Sequence, residues 1–470
     1  MVVGDIATGT DVLVIGAGPG GYSAAIRAAQ RGKDVILVDK DSVGGVCLNH
    51  GCIPAKALIH AAGFQEDIQH WEEIGVHTSD LEINFEEIQQ WKDGIVEKLD
   101  NGILQVLKHH GGEYINGEAR FIDSNTARVE QEHRTEKIEF EKAIIATGSR
   151  PVELPGFEFD KDRVISSREL LELEEIPEEI VVIGGGYIGM EAVTKFSKFG
   201  SNVKIVEVQD RVLGQFDEEI VNSIQETNPD YYEEELYTST EARELRYEDG
   251  KAVVVAEREG EEIEITGDKV LVAVGRTPEP TLEKLGLENT RVEREDGFVK
   301  TDQEMRTSDE NIYAIGDVAG QPLLAHKAYR QGKVAADSIA GEDAAFDNQY
   351  IPKVMYTDPE VAVVGLNEEE AGERYDEVKT GKFPMTASGR ALTTNHPEGY
   401  VKVIASGEEE LLGVQIVGSR ASDMIAEATL ALEMQAYLDD VANTIHAHPT
   451  FPEALADACE AAKDESVHTF

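Results

Sequence analysis

The sequence predicts an α/β fold made of two Rossmann-like units and a mixed α+β portion towards the C-terminus. Two observations carry most of this: a strand, tight glycine turn and helix near the N-terminus, and the recurrence of the same signature after residue 178. Length is the third. A chain of 470 residues is too long for one core and divides into three or four domains.

Residues 11–21, DVLVIGAGPGG, begin as an apolar run of the kind buried in parallel sheets and pass directly into Gly16, Gly18 and Gly21 at GxGxxG spacing. YSAAIRAAQRG then has helical apolar spacing and stops at Gly32. The next strand, DVILVDK, ends in Asp39, 23 residues after Gly16, where an acid binds the ribose of a dinucleotide whose pyrophosphate rests on the helix N-terminus. Residues 178–200 repeat the pattern with Gly184, Gly186 and Gly189, and NVKIVEVQD puts Glu207 23 residues after Gly184. Two complete units imply two dinucleotides, most simply FAD and a nicotinamide, the usual partners in hydride transfer. Glu207 suits a free 2'-hydroxyl and VQD adds no arginine cluster for a 2'-phosphate, so the nicotinamide is expected to be NAD.

Between the two signatures lies GGVCLNHGCIPAK, residues 44–56, which holds two of the three cysteines. On a regular helix Cys47 and Cys52 would stand about 8–9 Å apart, beyond the roughly 7 Å a disulfide spans. A bridge therefore requires a distorted first turn, for which the Gly44–Gly45 pair supplies backbone freedom. Such a bridge is easily reduced, which suits a redox dithiol. A metal site would need more ligands than Cys47, His50 and Cys52, and inert buried thiols are the bland alternative. Cys459 stands far from both.

The net charge of −49 comes from 92 acidic against 43 basic residues spread along the chain. That balance repels nucleic acid and anionic membranes. It is self-repelling at ordinary ionic strength but screened in molar salt, where the Debye length is about 3 Å, so a halophile's cytoplasm is expected. No basic-plus-apolar leader and no run of some 18 apolar residues stand in the sequence, which also predicts a soluble cytoplasmic protein.

The order of motifs resembles the flavin-dependent pyridine nucleotide-disulfide oxidoreductases. The first glycine fingerprint, CLNHGCIPAK, ATGS at 146–149, a second fingerprint continuing YIGME, AVGR at 273–276, NIYAIGDVAG at 311–320 and HAHPTFPE at 446–453 follow one another as in that family, from residue 11 to about 460. The resemblance implies an FAD-binding domain at 1–150, an NAD-binding domain at 151–276, a central segment at 277–348 completing the FAD site, and a dimer-interface domain at 349–470. It implies that Gly148, Asp317 and Ala325 with His326 line the flavin, that Gly275 ends the second nucleotide site, and that Lys56 and Glu191 pair near the flavin's reactive part. It also implies that His448 is a catalytic base oriented by Glu453, donated to the cysteines of the other subunit of a homodimer. His446 is read as structural, and Trp71 and Trp91 as packing residues. The stretch 218–250 departs from the family, as do Val46, His50 and Ala55 within the cysteine motif.

The activity this implies is oxidation of dihydrolipoamide, free or on a lipoylated protein, with reduction of NAD through FAD and the Cys47–Cys52 pair. A 2-oxoacid dehydrogenase or glycine cleavage complex is the implied setting. The alternatives are a reductase of another low-molecular-weight disulfide on the same scaffold, and a structural subunit of such a complex.

Overall fold

The computed structural model describes residues 7–77, 82–229 and 235–469. The first unit is built on β1 (Ala7–Ile15), α1 (Pro19–Gln30) and β2 (Val35–Asp39), followed by α2 (Gly45–His50), α3 (Cys52–Glu73) and α4 (Phe85–His109). Four strands follow: β3 (Glu113–Asn116), β4 (Glu118–Asp123), β5 (Thr126–Glu130) and β6 (Thr135–Ile145). The sheet runs β3-β2-β1-β6-β5-β4, and parallel register pairs Val12 with Val35 and Val14 with Ile144. Val12, Leu13, Val14, Leu37 and Val38 are fully buried, as a strand covered by helices on both faces demands.

The chain crosses between units where β7 (Arg150–Pro151) pairs with a returning strand. The second unit contains β8 (Val164–Ile165), α5 (Ser167–Leu171), β9 (Glu179–Ile183), α6 (Tyr187–Lys198), β10 (Asn202–Val206), α7 (Glu218–Thr227) and β11 (Leu236–Tyr237). An antiparallel sheet of β12 (Thr240–Glu248), β13 (Lys251–Arg258) and β14 (Glu261–Gly267) precedes β15 (Lys269–Val272). The parallel sheet runs β11-β10-β9-β15-β8. The divergent stretch 218–250 thus keeps a helix and a short parallel strand, while residues 230–234 lie outside the described residues.

After β16 (Arg276–Thr277), the partner of β7, come α8 (Glu279–Glu283) and the hairpin of β17 (Arg294–Glu295) and β18 (Phe298–Val299). The segment then rejoins the first unit: β19 (Ile312–Ala314) pairs in parallel with β6, and α9 (Ala325–Ile339) packs on α1. Gly332 permits this, since a Cβ there would lie 2.4 Å from the Gly20 carbonyl oxygen.

The C-terminal portion is an antiparallel sheet of β20 (Lys353–Met355), β21 (Val361–Gly365), β22 (Val378–Pro384), β23 (Tyr400–Ser406) and β24 (Leu411–Val417), ordered β20-β21-β24-β23-β22. Its helices are α10 (Glu368–Arg374), α11 (Gly389–Thr393), α12 (Ala421–Glu433), α13 (Leu438–Ala442) and α14 (Glu453–Ala461). The acidic run 368–370 forms the first turn of α10, where negative charge favours the helix dipole and Asn367 caps it. Trp71 and Trp91 depart from the packing expectation: they are 42% and 47% exposed. No helix among the described residues is long and apolar enough to cross a membrane.

Candidate active site

Both glycine turns open at the C-terminal ends of their sheets, where open α/β folds hold ligands. Gly16 has φ +103°, and a Cβ there would meet the Ala146 carbonyl oxygen at 2.2 Å; one on Gly21 would stand 1.8 Å from the Gly16 carbonyl oxygen. The turn can therefore close only with glycine. A Cβ on Gly18 would meet nothing within 4 Å, so this position faces the open cleft. In the second unit Gly184 (φ +107°) and Gly189 are equally tight, at 2.7 Å from Ala273 and 2.1 Å from Gly184, and Gly186 is open.

The two acids are held alike. The amides of Ala17 and Asp41 donate to Asp39 at 2.6 and 2.8 Å; those of Gly185 and Gln209 donate to Glu207 at 2.6 and 2.8 Å. Each carboxylate is fixed by its own glycine loop and keeps lone pairs for a ribose diol. Burial pushes the Asp39 carboxyl up against the pull of these amides. Cradle, acid and open glycine together fit a dinucleotide in each unit.

A cleft of about 1730 Å³ runs from the first cradle past the cysteines to the second unit. Gly148 (φ +66°) lines it, and Gly275 (φ +127°) turns the chain just before Arg276, which also lines it. Ser149 donates to Asp317 at 2.5 Å, and Arg276 donates to Ser149 Oγ and to its carbonyl at 2.9 and 2.6 Å. Asp317 is thereby more than a turn cap, and it lines the cleft with Ala325. His326 does not line it: its Nε2 lies 2.8 Å from the Pro352 carbonyl oxygen.

The dithiol stands on a broken helix. α2 ends at His50, Gly51 has φ −151° and ψ −113°, and α3 restarts at Cys52. The required distortion therefore falls at Gly51, where a Cβ would meet the Val46 carbonyl oxygen at 2.9 Å and Cys47 Cα at 3.3 Å. Gly44 and Gly45, at φ +88° and +58°, serve the docking of the segment instead. A Cβ on Gly45 would lie 2.6 Å from Gly18 Cα, so the cysteine segment is seated directly on the first glycine turn.

Cys47 and Cys52 are half-buried thiols in this structure. Cys47 donates to Cys52, and this bond, aided by the Lys56 ammonium and opposed by burial, pulls Cys52 down to about 7 while Cys47 is driven up. Cys52 is thus the thiolate of the pair near neutral pH. Lys56 Nζ donates to both Glu191 oxygens at 2.8 and 2.9 Å, and the Tyr356 amide donates to Glu191 at 3.1 Å. Glu191 is only 7% exposed, so this is no solvated surface pair. Burial alone would pull Lys56 down, but Glu191 keeps its pKa above the usual value.

Sequence reasoning missed two neighbours of the cysteines. The Tyr22 and Tyr329 hydroxyls, on α1 and α9, share a hydrogen bond of 2.5 Å, are driven up by burial, and feel the charge of Cys47. His50 stands 3.0 Å from Glu172, and burial together with Arg168 lowers it. Neither contact has a local sequence signal, because the partners are remote in the chain.

His448 Nδ1 lies 2.8 Å from Glu453, whose other oxygen accepts from the Thr450 amide at 2.5 Å. Against partial burial, that amide and the imidazole hold the Glu453 carboxyl low. The pair is formed as expected, yet the His448 side chain is 80% exposed and does not line the cysteine cleft of its own chain. His446 differs: its Nε2 lies 2.8 Å from Glu427 and its Nδ1 2.8 Å from the Thr444 carbonyl oxygen. In the same C-terminal portion Leu430, Met434 and Ile445 are 63%, 72% and 97% exposed.

The chain matches the pyridine nucleotide-disulphide oxidoreductase model over residues 10–332 and the dimerisation domain of that family over 351–459. Similar curated proteins are dihydrolipoyl dehydrogenases. The one from Halobacterium salinarum is 48% identical, covering 100% of this chain and 99% of that protein, and the one from Haloferax volcanii is 47% identical with the same coverage. The Bacillus subtilis protein is 44% identical, again over 100% and 99%. Among solved structures, LpdA of Mycobacterium tuberculosis superposes with a TM-score of 0.89 over 96% of this chain and 99% of that one at 24% identity. The flavoprotein disulfide reductase RclA of Escherichia coli does so at 0.86 over the same shares, with 26% identity.

Proposed function

Because the chain belongs to the pyridine nucleotide-disulphide oxidoreductase family, we propose that Cys47 and Cys52 exchange with the two thiols of dihydrolipoamide, with His448 as the base. The chain is an FAD- and NAD-dependent oxidoreductase of the dihydrolipoyl dehydrogenase kind, with a C-terminal dimerisation domain. The halophilic setting that its acidic composition implies fits its similarity to haloarchaeal proteins.

The observation that carries the residue roles is the polarity of the dithiol: Cys47 is the proton-bearing partner and Cys52 the thiolate, held by Cys47 and Lys56. His448, oriented by Glu453, takes the proton of one substrate thiol. The thiolate so formed attacks Cys47 Sγ of the oxidised pair; the S–S bond breaks and its electrons leave on Cys52, the better leaving group for its lower pKa. The second substrate thiol then attacks the mixed disulfide, Cys47 departs with the proton handed on by the imidazolium, the imidazole so freed takes up the proton of the second thiol, and the cyclic disulfide leaves. When bound, FAD accepts the two electrons of the dithiol and NAD receives them as hydride.

Lys56 and Glu191 act on this sequence by holding charge beside Cys52. The Glu453 carboxylate stabilises the imidazolium formed in the first step. Because His448 is exposed and does not line the cleft of its own chain, it acts across a two-fold interface in a homodimer. The lipoyl group would arrive free or on the carrier of a 2-oxoacid dehydrogenase or glycine cleavage complex. The test is NAD reduction by the purified holoenzyme with dihydrolipoamide, set beside glutathione and other small thiols. Turnover confined to dihydrolipoamide is the expected result, and faster turnover with another thiol would overturn the substrate.

A further inference from the structure

Lys195 lies on α6 one turn beyond Glu191, is 3% exposed, and lines the cleft. Among the described residues no hydrogen bond or ion pair is made by its ammonium. Its one close neighbour of note is the Phe196 ring, 5.2 Å from Nζ to centroid. The carboxylate whose charge it feels, Glu191, already accepts two hydrogen bonds from Lys56 and one from the Tyr356 amide. Lys56 on α3 and Lys92 on α4 face it as further cations, and Lys92 is itself 5% exposed, donating to the Leu171 carbonyl at 2.8 Å. Lys56 is engaged by Glu191 and Lys92 by Asp93 at 3.0 Å, so neither these cations nor the satisfied Glu191 carboxylate gives Lys195 an acceptor. A buried cation without an acceptor is costly, and none of the described side chains answers it with a hydrogen bond or ion pair.

We propose that Lys195 anchors a binding site for a small monovalent anion of the halide class in the cleft beside the Lys56–Glu191 pair. Ala192, Leu171, Leu173 and Ile176 line the cleft together with Glu172, Glu174 and Glu175, and its apolar members favour a weakly hydrated anion such as bromide over fluoride. The charge balance favours a monovalent guest, because a second negative charge would lie against Glu191. Burial pulls Lys195 down to about 7, with Lys56 and Lys92 lowering it further and Glu191 opposing. An anion reverses that pull, so binding is accompanied by proton uptake and weakens as pH rises above 7. The proposal stands independently of the substrate assigned above.

Two measurements on the holoenzyme test it. Amine labelling by fluorodinitrobenzene, followed by peptide mass spectrometry at pH 7.5 and fixed ionic strength, reads the reactivity of Lys195; bromide should slow it several-fold relative to fluoride. Anomalous scattering from bromide-soaked crystals should place a peak within hydrogen-bonding reach of Lys195 Nζ, lost in Lys195→Met and kept in Lys195→Arg. Equal labelling in bromide and fluoride, bromide peaks elsewhere but none at Lys195, or a flavin atom filling the position would overturn it. The labelling arm uses wild-type protein, so a variant that fails to fold leaves the proposal falsifiable.

Discussion

Replacing Lys56 with Met removes the one ammonium that lowers the Cys52 thiol. Cys52 is pulled from 9.0 to about 7, which at 1.36 kcal/mol per pH unit is a stabilisation of the thiolate by about 3 kcal/mol. At pH 7 that shift raises the thiolate from about 1% to about half of the molecules. The Cys47 hydrogen bond contributes the largest share and Lys56 the next, with burial opposing both. Loss of Lys56 alone should therefore lower the thiolate fraction at pH 7 by roughly 3- to 20-fold, and the deficit should close as pH approaches 9. The substitution also takes both Lys56 hydrogen bonds from the buried Glu191, leaving it the Tyr356 amide and the charge of Lys195, at a cost of up to about 3–5 kcal/mol in stability. The double variant Lys56→Met, Glu191→Gln removes the buried charge and with it the opposing push of Glu191 on Cys52, so its thiol midpoint should lie between those of wild type and Lys56→Met. The assay is pH titration of the long-wavelength absorption that the Cys52 thiolate gives beside bound flavin, in the dithiol-reduced holoenzyme, together with turnover at each pH. A midpoint that stays near 7 in Lys56→Met would refute the assignment of Lys56 as a support of the thiolate.

Other consequences follow from the same geometry. Glu207 is held by two backbone amides facing the second cradle, and a phosphate charge about 5 Å from it would meet roughly 3 kcal/mol of repulsion per unit charge at an effective dielectric of about 20. NAD should therefore be preferred over NADP by about a hundredfold in kcat/KM, and near-equal use of the two would contradict the role of Glu207. A heterodimer of one Cys47→Ser and one His448→Gln subunit should recover up to half the wild-type activity if the base is donated across the interface, and almost none if it acts within its own chain. His396 ties α3 to the C-terminal domain through Asp67 at 3.2 Å and Glu398 at 3.3 Å. Glu398, opposed by burial, raises its pKa, so this contribution to stability is full below the ordinary 6.5 and is lost as pH rises through the higher folded value. Denaturant midpoints of wild type and His396→Gln should diverge at pH 6 and converge at high pH; parallel curves would remove His396 from that contact.

The two nucleotide cradles were legible because each is local. Strand, glycine turn, helix and acid lie within about thirty residues, and the physical demand at Gly16 or Gly189 is one that only glycine meets. The dithiol was legible as a pair that needs a distorted turn, but its place was not: the break falls at Gly51, and Gly44–Gly45 serve to dock the segment on Gly18. What the sequence hid are contacts between remote residues, such as Tyr356 with Glu191, Arg276 with Ser149, Tyr22 with Tyr329 and His50 with Glu172. No spacing rule links positions that far apart, since topology alone brings them together. The His448–Glu453 pair lies within six residues and was readable, whereas its distance from the cysteine cleft follows from the packing of the C-terminal sheet. Lys195 went unread for a different reason: a lysine on a helix is ordinarily solvated, and only burial against α3 and α4 makes it exceptional.

The central claim is that His448 serves the dithiol step, and stopped-flow absorbance of the two half-reactions tests it most directly. In His448→Gln, reduction of the oxidised enzyme by dihydrolipoamide should slow by 10²- to 10⁴-fold, because substrate thiols near pKa 8.5 are mostly protonated at neutral pH and lose their base. Reduction by NADH needs no substrate deprotonation and should change little. His446→Gln, whose imidazole is already engaged by Glu427 and the Thr444 carbonyl, should leave the dithiol step nearly intact. Equal slowing of both half-reactions in His448→Gln, or a greater loss in His446→Gln, would contradict the account.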